Sequence, residues 1–286
     1  MGLNWNDLKV ALAIAEAGSL SRGASVLGID QSTAGRRLST LEADIGTILF
    51  TRSKTGFAPT QAGREVIERA REVALRIDRL TDDLSEDANG PVGSVRLIGN
   101  GWMLERLAET IVPDFLDAHP LIDLRLMSFE PRTPPLSDAT VALWFEMPPR
   151  TGEFSIKLGK VPYALYVKKG LDPDDLGWVS FFSDDTSRSA PVRAWEKMRG
   201  SGDRRLRLTA TDARMLLSAV RSGIGKGILP MCLGEADPTL ERVTDTPHDI
   251  VRTANLHAHP DTVQTHRVQA VIKCLRESFA DVFTNF

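Results

Sequence analysis

The sequence predicts an α/β protein that opens with a mainly helical segment, and three observations carry this expectation. Residues 4–45 hold three runs whose apolar positions recur at helical spacing, each followed by a glycine. Residues 64–88 form one long charged run without Gly or Pro. From Ser94 onward, β-rich runs alternate with amphipathic ones, the texture of βα units. The 286 residues suit two domains of ordinary size or one large one. At 42% hydrophobic and 26% charged residues, the composition is that of a globular protein with a real core. The net charge of −3 gives no global field for nucleic acid, so any anion binding must come from a local patch.

The first helix is expected over residues 4–18. Asn4 is its cap, Asp7 sits in the first turn where the helix dipole favours an acid, and Gly18 stops it. Leu8, Ala11, Leu12 and Ala15 form its apolar face. A second short helix runs from Ser19 or Leu20 to Leu27, with Ala24 and Leu27 inward and Gly28 at its end. The third, "DQSTAGRRLSTLEADIG", has Asp30 as cap, and Ala34, Leu38, Leu41 and Ile45 along one face. Two helices joined by a tight glycine turn make a helix-turn-helix candidate. "ILFTRSKTGFAPTQAG" then predicts two short strands, Ile48–Arg52 and Phe57–Pro59, around a Lys54–Gly56 turn: a wing. In the long run that follows, Ile67, Ala70, Ala74, Ile77 and Leu84 make a short coiled-coil seam, interrupted at Thr81, that suits dimerisation. "EDANGPVG", residues 86–93, reads as a linker.

Beyond it, "SVRLIG" is a strand and "MLERLAETIVPDFLDAHP" a helix. "IDLRLMSF", "ATVALWF" and "VPYALYVKK" are strands, "RSAPVRAWEKMRG" and "DARMLLSAVRSG" helices. "KGILP" is a buried strand, "IVRTANLHAH" another, and "HRVQAVIKCLRESFADVF" a terminal helix. The pattern argues for mostly parallel sheets.

Charge is distributed unevenly. From Leu20 to Arg64 stand six cations (Arg22, Arg36, Arg37, Arg52, Lys54, Arg64) and three anions (Asp30, Glu42, Asp44), a local excess of +3. The cations lie where a winged helix-turn-helix meets DNA. The first turn of a recognition helix points into the major groove, so Gln31, Ser32 and Thr33 can reach base edges or phosphates. Gln can bond an adenine edge with both amide atoms and Arg can fork onto guanine. Gly35 lets the backbone come close. Arg36 and Arg37 lie about 100° apart on the helix, so one reads a base and the other a phosphate. An ordinary helix with a solvated arginine face would look the same in isolation; the wing and the seam favour the DNA reading.

Residues 7–80 resemble the N-terminal domain of LysR-type transcriptional regulators. The marks are the "AEAGSLSRGA" turn into the second helix, the "LE…IG…LF.R" step into the wing and the "PTQAG" entry to the long helix, which adds Thr60 to the candidate DNA contacts. The resemblance implies a winged helix-turn-helix, a dimerising linker helix and a two-lobed effector domain resembling periplasmic binding proteins. Expected boundaries are residues 1–63, 64–90 and 91–286. The first lobe would hold about 91–162 and 258–286 and the second about 163–257, with crossings near Val161–Val167 and Ile250–His257. The family often has Ser at Gly35 and Pro at Ser32, so the operator preference of this chain is its own. "SVRLIGNGWMLERLAETIVPDFLDAHPLIDLRL" and "DARMLLSAVRSGIGKGILP" resemble the second domain of the family more loosely. Where relatives place another helix after Phe129, this chain has "EPRTPPLSDAT", with three prolines, which predicts a trimmed first lobe.

The resemblance implies a small effector between the lobes, held against helix N-termini that attract carboxylates. The candidates are Asn100, Gly101 and Trp102 at one helix start and Thr211 with Asp212 at another, with Ser128 and Thr209 by position. Trp102 either stacks on an aromatic effector or plugs the cleft. The expected partners are double-stranded DNA, a second copy or three, a small organic-acid or aromatic effector, and RNA polymerase; no cofactor and no membrane. "GNGWML" lacks the third glycine of a dinucleotide loop, "GIGKG" lacks P-loop spacing, and there is no GxSxG or HExxH, so no enzyme activity is expected. His257 and His259 share a strand face and read as partly exposed strand histidines rather than metal ligands. Cys232 and Cys274, far apart, read as structural thiols in a reducing cytoplasm, with a redox-sensing pair as the other reading. "MGLNWNDLK" shows no signal region and Asn6 breaks the myristoylation pattern, so a cytoplasmic location is expected. Two further readings stay open: a family member whose cleft is closed and takes no effector, and a binding module or enzyme with an incidental helical N-terminus.

Overall fold

The computed structural model describes residues 2–53, 56–128, 139–149, 152–181, 189–198, 205–244 and 250–285. The chain divides into two compact units, Met1–Leu84 and Ser85–Phe286.

The first unit is three helices, a hairpin and a long helix. α1 spans Trp5–Ala17, with the Asn4 side chain accepting from the Asn6 amide and Gly18 closing it at φ 66, a left-handed conformation that costs glycine least. The buried stripe of α1 is Val10, Ala11, Ala13 and Ile14; Leu8, Leu12 and Ala15 flank it. The expected face is rotated because α1 packs against two helices at once, α2 (Leu20–Val26) and α3 (Gln31–Ile45). Ala24 is inward as expected, but Leu27 caps α2 at the surface and Ile29 takes the inward place. Asp30 starts α3 with extended backbone, yet its carboxylate accepts no capping hydrogen bond and stays in solvent. Ala34, Leu38 and Leu41 are buried as the spacing requires.

The hairpin is β1 (Phe50–Ser53) paired antiparallel with β2 (Gly56–Pro59). It is fastened to the helices at both ends. Glu42 Oε1 accepts from the Leu49 and Phe50 amides at 2.7 and 3.2 Å, and the Phe57 amide donates to the Gly18 carbonyl at 3.1 Å. α4 then runs 29 residues, Gln61–Asn89, so the predicted linker begins inside the helix, which stops before Gly90 at φ 80. Ile67 and Ala70 are buried, and Ile67 joins the core of this unit; from there on Val73, Ile77 and Leu80 are exposed. The side chain of Leu84 lies outside the described residues.

The second unit is α/β. Its strands are β3 (Gly93–Gly99), β4 (Ile122–Ser128), β5 (Thr140–Phe145), β6 (Phe154–Lys168), β7 (Trp178–Phe181), β8 (Leu206–Ala210), β9 (Lys226–Pro230), β10 (Leu240–Arg242) and β11 (Val251–Ala258). Among the described residues they pair in the order β4-β3-β5-β11-β6-β9-β7-β8, with β10 on β6. The expectation of mostly parallel sheets needs correcting. Pairing is parallel within each flank, β4-β3-β5 and β9-β7-β8, but β5-β11, β11-β6 and β6-β9 are antiparallel. The reason is topological: two long strands carry the chain between the lobes in opposite directions, β6 pairing with β11 up to Pro162 and with β9 from Tyr163.

The helix predicted from Met103 to Pro120 is two, α5 (Gly101–Thr110) and α6 (Val112–Ala118). Pro113 lacks the amide that would carry the ladder across the break. α5 and α10 (His266–Phe283) cover the first lobe through Leu104, Leu107, Val271, Leu275 and Phe279. α7 (Ala190–Met198), α8 (Ala213–Arg221) and the short α9 (Met231–Gly234) belong to the second. The triple-proline stretch lies at 130–140, and all but its last two residues fall outside the described residues. None of the described helices is long and apolar enough to cross a membrane.

Candidate functional site

The first candidate face is built by α3. Its core stripe, Ala34, Leu38 and Leu41, forces the residues between outward. Gln31, Ser32 and Arg36 are exposed; Thr33 and Arg37 are partly buried. With no side chain capping α3, its first amides are left for an external acceptor. The Thr40 hydroxyl is not part of this free surface, since it donates to the Arg36 carbonyl at 3.0 Å.

Two predicted contacts have other duties. Thr60 stands at the start of α4: its hydroxyl donates to the Ile48 carbonyl at 2.8 Å and accepts from the Gly63 amide at 2.9 Å. It ties hairpin to helix rather than offering a spare hydroxyl. Gly35 faces α2, where a Cβ would stand 3.6 Å from Leu20 Cδ2, an ordinary contact. Gly35→Ala should raise stability by about 0.5–1 kcal/mol, the usual gain in a helix interior. Site preference selected from randomised duplexes should stay unchanged; a changed preference would put position 35 back in the reading surface. Arg52 lies on β1, but its side chain, and all of Lys54, fall outside the described residues.

Glu42 and Gly63 are the residues that sequence reasoning missed in this unit. Glu42 entered as an anion and as part of the "LE…IG…LF.R" step, with no bonding role, though its carboxylate takes two backbone amides. At Gly63 a Cβ would overlap the Leu49 carbonyl oxygen, so only glycine allows α4 to start there. The glycine of the "PTQAG" entry to the long helix was the available signal.

The second candidate site is the interlobe region. The structure brings Gly101 and Ser128 together: a Cβ on Gly101 would lie 3.4 Å from Ser128 Oγ. Thr209 and Thr211 are exposed, and no described contact draws them to that pair. Asn100 occupies the cap position of α5 without a capping bond, its amide nitrogen lying 3.9 Å from Met103 Sδ. Trp102 is 3% exposed. Its ring stacks on Phe145 with centroids 6.1 Å apart and meets Phe283 edge-on at 5.8 Å. The Arg252 guanidinium lies over the Phe145 ring at 4.2 Å and pairs with Glu146 Oε2 at 2.8 Å. The aromatic face that would stack on an effector is thus already covered by the chain itself.

Asp212, named with Thr211 at the second helix start, caps α8 and also reaches α5, a bridge the sequence did not foretell. One oxygen accepts from the Arg214 amide at 2.8 Å and the other lies 3.3 Å from the Trp102 amide of α5. Arg214 continues the bridge, with Nε 2.9 Å from Glu105 Oε2 and a second bond to Glu109. Beside it lies a surface cavity of about 380 Å³ lined by Arg106, Arg214, Arg221 and Asp237. Its arginines are already engaged: Arg106 donates to the Val282 carbonyl and Arg221 pairs with Asp237.

The remaining candidates settle into the fold. His257 is buried, not partly exposed, with Nδ1 3.3 Å from Glu153 Oε2; His259 lies past the strand end. No cluster of three metal-ligating side chains occurs among the described residues. Cys232 and Cys274 are both free; burial pushes the Cys232 thiol up to about 11 and raises that of Cys274. A thiol held protonated at neutral pH is a poor nucleophile, which weighs against a redox pair.

Residues 5–64 match the family described as bacterial regulatory helix-turn-helix protein, lysR family, and residues 88–280 match the LysR substrate binding domain. Among curated relatives, the Mau operon transcriptional activator of Paracoccus denitrificans is 26% identical over 230 residues, 80% of each chain. The HTH-type transcriptional activator AmpR of Rhodobacter capsulatus is 29% identical over 245 residues, 82% of each. Among solved structures, a full-length OxyR variant from Pseudomonas aeruginosa superposes with a TM-score of 0.70 at 13% identity, covering 96% of this chain and 98% of that one. Full-length CbnR in complex with its target DNA gives 0.51 at 22%, covering 96% and 99%.

Proposed function

The chain belongs to the LysR family of DNA-binding transcriptional regulators, and from that premise we propose that it reads a partly palindromic site on double-stranded DNA as a homodimer or a tetramer of two dimers. The observation that carries this reading is the outward face of α3, where Gln31, Ser32 and Arg36 stand exposed at a helix start that no side chain caps. Gln31, Ser32 and Thr33 meet base edges or the nearest phosphates, and the uncapped amides favour a phosphate. Arg36, the more exposed arginine, reads a base; Arg37, lying closer to the core, takes a phosphate. Arg52 and Lys54 join the contacts on their place in the wing sequence.

Dimerisation through α4 is supported by Val73, Ile77 and Leu80, which are 41%, 37% and 60% exposed at helical 4-3 spacing. That stripe replaces the predicted one, whose first members, Ile67 and Ala70, are spent on the core of their own unit. The protein acts by binding, not catalysis, in the cytoplasm. Its C-terminal unit transmits a signal to the DNA-binding units and so to RNA polymerase. Of the two effector readings, the covered face of Trp102 favours the closed cleft over an open site for an organic acid or aromatic.

The test is a gel shift of the full chain on duplexes selected from a randomised pool, at stepped salt. Arg36→Ala should lose about 1–3 kcal/mol, mainly at one base position. Arg37→Ala should weaken all sequences alike and lower the salt slope by about one. If neither substitution alters binding, α3 is not the reader.

A further inference from the structure

We propose that Asp212 is an internal ligand: its carboxylate occupies, from within the chain, the position between the starts of α5 and α8 where a small carboxylate would otherwise bind, and latches the two lobes together. The inference rests on reading the C-terminal unit as a two-lobed regulatory domain.

α5 begins without a local cap, because Asn100 makes no capping bond. Its early amides therefore lack the partner that a helix start needs. Asp212 supplies it from 110 positions away in sequence, while its other oxygen caps its own helix. One carboxylate thus sits at two positive helix ends, which is what a bound acid would do there. Gly101 makes room: a Cβ at that position would stand 3.3 Å from Asp212 Oδ2, tighter than such contacts normally run. The next side chain but one on α8 repeats the connection, Arg214 pairing with Glu105 and Glu109 on α5. Behind the latch, Trp102, Phe145 and Phe283 fill the space an aromatic guest would need.

The experiment removes the internal ligand and offers it back. Asp212→Ala and Asp212→Asn are made in the full chain, and hydrogen exchange is followed at residues 101–104. Each variant should expose the Trp102 amide and speed exchange in that segment by about tenfold, as expected for losing one charge-assisted hydrogen bond. Formate should slow exchange again in Asp212→Ala, saturably and beyond a chloride control, because the truncated side chain leaves a carboxylate-sized space. It should not do so in Asp212→Asn, where the space stays filled, nor in the unsubstituted chain. Unchanged exchange at 101–104 in both variants would overturn the proposal, as would formate protecting the unsubstituted chain as strongly as Asp212→Ala. If Asp212→Ala does not fold, the near-isosteric Asp212→Asn still decides on its exchange rate. Absence of sequence-selective DNA binding would overturn the regulator reading and leave the exchange result standing, so the two failures are distinguishable.

Discussion

Replacing Trp102 with alanine should destabilise the C-terminal unit by about 3–5 kcal/mol, the cost of emptying a large buried aromatic site. The ring is 3% exposed and bounded by Phe145 on one face and Phe283 at its edge. Phe283 in turn packs on Phe279 at 4.9 Å, so α10 would lose part of its seat. Against a typical domain stability of about 5–15 kcal/mol, such a loss is large enough to shift a urea transition visibly. A tryptophan at the mouth of an open cleft would behave differently: its removal would change stability by less than about 0.5 kcal/mol, as surface substitutions do. Free indole should recover part of the loss, because a cavity that binds a ligand only in the folded state gains stability with ligand concentration. A small effect without indole rescue would return Trp102 to the role of an effector platform.

Gly63→Ala should cost the N-terminal unit about 3 kcal/mol or more, the upper end of overpacking, and with it DNA affinity at every sequence. The added methyl would overlap the Leu49 carbonyl oxygen. That carbonyl already accepts from the Thr60 amide at 2.9 Å, and Leu49 itself is fully buried. Neither side can yield cheaply, since backbone stands on one and the helix start on the other. The hairpin and α4 would therefore separate, and the wing would lose its fixed place beside α3. Thermal denaturation of the full chain should show an earlier transition, with gel shifts weakened uniformly across sequences. Gly35→Ala is the matched control, because the same methyl there meets only Leu20 at an ordinary distance. Equal stability in the two variants would mean that the junction is softer than its geometry.

Periodic features were legible in the sequence because they depend on neighbours a few residues away. The three N-terminal helices, the hairpin and the terminal helix follow from apolar spacing, caps and turn glycines. Their inward faces were less legible. α1 turned to Val10, Ala11 and Ile14 because two other helices share it, and Leu27 yielded to Ile29 for the same kind of reason. The short strands β7, β8 and β10 were missed. In the candidate DNA face, Gln31, Ser32 and Arg36 were legible as exposed polar positions between core positions. The bond from the Thr60 hydroxyl to Ile48 and the packing of Gly35 toward Leu20 were not legible, because those partners lie across turns.

The sequence by itself determined the two-part organisation, the helix-turn-helix with its wing and the family, all written in local spacing and short motifs. Only the tertiary structure decided that the strands mix parallel and antiparallel pairing, that Glu42 and Gly63 hold the wing, and that Trp102 packs on Phe145 and Phe283 with the Asp212 carboxylate at its amide. Those outcomes depend on contacts between residues far apart in the chain, such as the Asp212 carboxylate beside the Trp102 amide. Nothing in the spacing around either residue records the other, because the packing that joins them exists only once the two lobes are folded.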